Sequence, residues 1–74
     1  MKPRYYVIAK IGDTIYAWTA NGRWIARMAG VNDGIWQTWD HKPDAERMAK
    51  SKRDEFAKDE KLKDIIVEVE TWHG

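Results

Sequence analysis

The amino-acid sequence predicts an α+β domain: an antiparallel sheet of 4–5 strands with one helix packed on it, in the order β-β-β-(β)-α-β. Three observations carry this. Three runs rich in β-branched and aromatic residues fill positions 4–28, divided by Gly12-Asp13 and Asn21-Gly22, and Asn-Gly between such runs is the strongest short hairpin signal. Alanines and methionine at helical spacing follow Pro43. The closing Ile-Ile-Val-Glu-Val-Glu then alternates apolar with acidic residues, as a half-buried strand does. All 74 residues form one compact domain, 1–74, near the lower size limit at which a core holds without staples.

Element by element, RYYVIAKI (4–11) reads as a strand, Gly12-Asp13 as a turn, and TIYAWT (14–19) as a second strand. RWIARM (23–28) returns after Asn21-Gly22, AGVNDG (29–34) is a loop, and IWQTWD (35–40) is a candidate short strand. The helix is expected to begin close to Pro43, with Asp40 as N-cap and Asp44 and Glu46 at the positive end of its dipole. It is expected to end around Lys61. Ala45, Met48, Ala49 and Phe56 fall on one stripe at offsets 0, 3, 4 and 11, which Lys52 interrupts at offset 7. Glu46→Lys50, Asp54→Lys58 and Asp59→Lys63 are i,i+4 pairs, each adding a few tenths of a kcal/mol. DIIVEVETW (64–72) is the last strand, its Ile65, Val67 and Val69 opposite in parity to Ile66, Glu68 and Glu70.

Composition excludes several classes of function. There is no cysteine, so disulfides and thiolate metal sites are ruled out, and a reducing cytoplasm is the expected compartment. No apolar run approaches the roughly 20 residues that span a bilayer, and MKPRYYVIAK lacks the apolar region and cleavage site of a signal peptide. The formal charge of +1 is unevenly spread: +2 over residues 1–41, +3 over 42–53 and −4 over 54–74. A duplex binder should be plainly basic and a nucleic-acid mimic strongly acidic; neither fits.

The hairpin generates the candidate contact residues. A two-residue turn at Asn21-Gly22 pairs Ala20 with Arg23, Trp18 with Ile25 and Tyr16 with Arg27, and on the other side Thr19 with Trp24, Ala17 with Ala26 and Ile15 with Met28. The second set is apolar and alanine-centred, suited to a helix. The first gathers Tyr16, Trp18, Arg23, Ile25 and Arg27, the residue types of binding hot spots, with Trp36 and Trp39 as extensions. This set has three readings: an exposed partner-binding face, a core, or a homodimer interface. If Gly12-Asp13 is also a two-residue turn, Val7 faces Trp18 and Ala9 faces Tyr16, and the aromatic face can itself be the core.

Catalytic constellations are missing. His41 and His73 are far apart and offer no three- or four-ligand spacing for a metal, no cofactor is expected, and there is no GxSxG, HExxH or phosphate-binding glycine loop. Asp33, Asp40 and Asp44 are accounted for by turn and cap roles, so the chain is read as a non-enzyme. Tryptophans on a sheet beside arginine, with Arg47, Lys50 and Arg53 along the helix, give a second reading as a single-stranded nucleic-acid binder.

The layout YYVIAKIGDTIYAW, then NGRW, then WDHKPDAERMAK, then IIVEVE, resembles small accessory proteins of bacteriophages and prophages, among them anti-CRISPR inhibitors. The likeness spans nearly the whole chain in size and element order and transfers no functional residue. It implies a stoichiometric binder of a host protein or complex, acting in the bacterial cytoplasm without a membrane. The near-neutral charge departs from the acidic mimics in that group.

Overall fold

The computed structural model describes residues 2–27 and 35–72. Its elements are β1 (Arg4–Ile11), β2 (Thr14–Trp18), β3 (Trp24–Ala26), α1 (Lys42–Ala57) and β4 (Ile66–Trp72). They form a four-stranded antiparallel sheet in the order β3-β2-β1-β4, with α1 over β1 and β4. Met28, the loop 29–34 and His73 lie outside the described residues.

The first turn follows expectation. Ile11 pairs with Thr14 across Gly12-Asp13, Gly12 takes φ +59, and Ala9 faces Tyr16. The second departs by one residue. Trp18 pairs with Trp24, Ala17 with Ile25 and Tyr16 with Ala26, so the loop is Ala20-Asn21-Gly22 and only Gly22 need be left-handed, at φ +78. Gly22 N–H donates to Thr19 C=O at 3.0 Å, and Thr19 N–H donates to Arg23 C=O at 2.9 Å. The buried Thr19 hydroxyl adds two bonds, donating to Arg23 C=O (3.0 Å) and accepting from Arg23 N–H (3.2 Å).

That extra residue reverses the expected face assignment, because a one-residue slip sends every side chain of β3 to the other side. Trp18 and Trp24 now share the helix side, edge to face at 5.2 Å and 66°, with Trp24 tilted on Phe56 at 5.9 Å. Burying an indole is worth about 4–6 kcal/mol gross. Seating both indoles under one helix therefore outweighs the preference for a two-residue Asn-Gly turn. The Ala17 side, proposed above to receive the helix, instead faces away from it.

On the helix side Val7, Ala9, Ala49 and Val67 are fully or almost fully buried, flanked by Trp18, Trp24, Trp39, Met48 and Phe56. Ala45 and Ala49 of α1 are fully buried where the helix lies on the sheet. Lys52, which breaks the apolar stripe, folds over the Trp18 ring with Nζ 3.9 Å from its centroid and ion-pairs with Glu55 at 3.0 Å. A cation on an indole face contributes about 0.5–2 kcal/mol, so the interruption is itself a contact with the core.

The segment 35–39 is not a strand but makes two isolated bridges, Thr19 to Trp36 and Tyr5 to Trp39. The β1–β2 ladder stops at Ile8 and Ala17. In the same register Tyr5 would next meet Ala20, yet Tyr5 exchanges both main-chain bonds with Trp39 (2.9 and 2.8 Å). Likewise Trp18 C=O accepts from Gln37 N–H (3.0 Å) and Ala20 N–H donates to Ile35 C=O (3.2 Å). The segment is a wedge between the parted ends of β1 and β2. Alternation along it sends Trp36 to the far face, against Tyr6, Ile8 and Ala17, and Trp39 to the helix side.

The helix begins close to Pro43, as expected, but its N-cap and its C-terminal end differ. The N-cap is His41, in an extended conformation and with no side-chain cap bond; Pro43 lies in the first turn, while Asp40 pairs with Arg4 at 3.6 Å. The helix stops at Ala57 because Asp59 Oδ1 accepts from Lys61 N–H at 2.9 Å, a local bond that competes with helical continuation. None of the three expected i,i+4 pairs is found among the described residues. Arg47–Asp44 (2.9 Å), Lys50–Asp54 (3.3 Å) and Lys63–Glu60 (3.0 Å) form instead.

A three-residue loop makes distinct demands on its two central candidates. Gly22→Ala should cost about 1–2 kcal/mol, since a Cβ there meets only Trp18 at 4.0 Å and the penalty is conformational. Asn21→Ala should cost clearly less, read from urea midpoints at constant m-value. Equal losses would mean that both positions are left-handed, as a two-residue turn requires.

Candidate protein-binding face

The sheet face away from α1 is built from alternate residues: Tyr6, Ile8 and Lys10 of β1, Ile15 and Ala17 of β2, Ile25 of β3, and Ile66, Glu68, Glu70 and Trp72 of β4. Trp36, only 6% exposed, covers Tyr6, Ile8 and Ala17. Around it Ile15, Ile25 and Trp72 are half-buried, and Ile66 is 54% exposed at the β4 end.

Ionic contacts border this apolar centre. Tyr6 Oη donates to Glu70 Oε2 (2.9 Å) and accepts from Arg27 Nη1 (2.7 Å), and Arg27 ion-pairs with the same Glu70 oxygen. Lys10 Nζ lies 3.1 Å from Glu68 Oε2. Burial, with Glu70 adding to it, pushes the Tyr6 phenol above its ordinary value, against the opposing bond from Arg27. For Arg27 burial alone would weaken the charge, but the bonds to Tyr6 and Glu70 outweigh it and hold the guanidinium protonated. Three elements distant in sequence are thus tied by one neutralised cluster.

The seven residues singled out from the sequence do not form one face. Ile25 and Trp36 belong to the far side, and Arg27 joins its cluster. Tyr16 and Trp18 share the helix side with Ala26 and Trp24, and Trp39 packs there too. Trp18 is further fixed by its Nε1–H donating to Gln37 Oε1 at 3.1 Å. Arg23 is exposed at the turn. Sequence reasoning missed Tyr6, Glu70 and Trp72. Parity in the closing strand groups Glu70 with Trp72, but nothing local links either to Tyr6 or Arg27.

The helix cations are engaged elsewhere. Arg47 and Lys50 pair with Asp44 and Asp54 beside an open groove that they line with Lys42, Pro43 and Glu46, while Arg53 Nε donates to Val67 C=O at 3.0 Å. Among the described residues no cluster of three or more His, Asp or Glu is placed to hold a metal, and no helix is long and apolar enough to cross a membrane. No family model matches the chain, and no curated protein or solved structure shows significant similarity to it.

The Tyr6 cluster makes stability depend on alkaline pH. Its folded-state pKa exceeds the unfolded value near 10, so the stabilisation is complete below about pH 10 and lost as pH rises through the raised folded value. Urea midpoints should fall above about pH 10 in the wild type. Tyr6→Phe, starting about 1 kcal/mol less stable at neutral pH, should show a shallower fall.

Proposed function

We propose that the protein is a non-enzymatic binding module for another protein, with the far face of the sheet as its contact surface. The observation behind this is the arrangement of that face: half-buried Ile15, Ile25 and Trp72 around a sealed Trp36, bordered by the Arg27–Glu70 and Lys10–Glu68 pairs. An apolar centre with a polar rim is the anatomy of a protein interface. The resemblance to phage accessory proteins points to a bacterial host factor as partner, such as a component of a CRISPR–Cas or other defence system, inhibited by occupation of a functional surface.

Single-stranded nucleic acid fits the two sides of the sheet less well. Stacking needs open indole faces, whereas Trp18 lies between Lys52 and Trp24 and Trp36 is sealed. Seven ion pairs among the described residues also occupy cations that a phosphate backbone would need.

Immobilised protein incubated with bacterial lysate tests the reading. Ile25→Ala and Trp72→Ala, each checked for a native melting transition, should weaken capture of the retained host protein by more than about 1 kcal/mol apiece. Lys52→Gln, on the helix side, should leave capture unchanged and lower stability by about 0.5–1 kcal/mol. Capture indifferent to the first two substitutions would remove this face as the binding surface.

A further inference from the structure

β4 is an edge strand, paired only with β1 among the described residues. Which of its backbone groups point outward follows from Tyr5. Both main-chain bonds of Tyr5 go to Trp39, so Tyr5 turns its backbone away from β4, and its partner Thr71 turns away from β1. By the two-residue repeat of a strand, Val69 and Val67 do the same. The Val67 C=O confirms the phase, because Arg53 reaches from α1 to cap it at 3.0 Å. Val69 and Thr71 have no such cap: their N–H and C=O groups find no partner among the described residues.

From this geometry we infer that the β4 edge accepts an extended segment of a partner protein as a fifth strand, one with lysine or arginine opposite Glu68 and Glu70 and an apolar residue opposite Val69. An added strand meets Glu68 and Glu70 before any other charge on that face, since Lys10 and Arg27 approach from β1 and β3. The internal pairs of both glutamates are made through Oε2, and a carboxylate has a second oxygen that can accept from a further cation. Opposite charges directly across a strand pair stabilise it, and like charges oppose it. A second copy of this chain is disfavoured by the same rule. Each antiparallel two-fold register that pairs Val69 with Val67, Val69 or Thr71 of the other copy sets Glu68 or Glu70 against a glutamate.

The inference rests on the protein-binding reading and names the partner's chemistry, but its test is separable from that reading. Two capped peptides of about seven residues, alternating valine with lysine or valine with glutamate, are titrated into the full chain. The lysine peptide should bind at least about tenfold more tightly and protect the Val69 and Thr71 amides from hydrogen exchange. Thr71→Pro removes only an outward N–H, a change that an edge strand tolerates, and should abolish lysine-peptide binding. Equal affinity for the two peptides, or unprotected Val69 and Thr71 amides in the wild type, would overturn the inference even if the proline variant fails to fold. Loss of host capture in the Ile25 and Trp72 variants reports on the face alone, so either proposal can fail without the other.

Discussion

The register of β3, which burial of Trp24 selects and the hydroxyl of Thr19 holds by closing on both main-chain groups of Arg23, is the constraint on which the rest of the structure depends. With that clamp made, the loop holds three residues and Trp24 stands beside Trp18. The paired indoles then form a floor on which Phe56 and Lys52 of the helix rest. In the two-residue register β3 would turn over, and the helix would lose half of that floor.

The wedge at residues 35–39 does for the two sides of the sheet what the clamp does for β3. It is too short to be a strand, yet its alternation delivers one tryptophan to each core. This is how 74 residues accommodate five tryptophans: they are divided between two thin apolar layers rather than crowded into one. The far layer is the thinner, with Trp36 as its main cover, and its half-buried rim is the surface proposed for a partner.

The strands, the single helix and their order were legible in the sequence because each has local causes. VIA within the first strand, the glycines at both turns and the alternation from Ile65 to Glu70 act within a few residues. The candidate face was only partly legible, for a geometric reason. Gly22 is compatible with a two- or a three-residue loop, and the choice between them is made by tertiary burial of Trp24, which no local pattern carries. One residue of slip separated Tyr16 and Trp18 from Ile25 and Arg27. Tyr6, Arg27 and Glu70 meet only because β1 lies between β2 and β4, a fact of sheet order. The N-cap and the C-terminal end were misread for a smaller reason: Asp40 suits a cap but pairs with Arg4, and Asp59 bonds the Lys61 N–H instead of supporting a further turn.

The wedge also bears on how the chain reaches this state. A hairpin of residues 4–20 closes over a short loop, ahead of contacts that reach from Trp36 back 17 residues to Thr19 and from Trp39 back 34 residues to Tyr5. Nothing local stops that hairpin from zipping past Ile8 and Ala17 until Tyr5 meets Ala20. Such an over-closed hairpin has to part again at its mouth to admit Trp36 and Trp39. A chain that took this route would enter the native sheet by a partial unpairing.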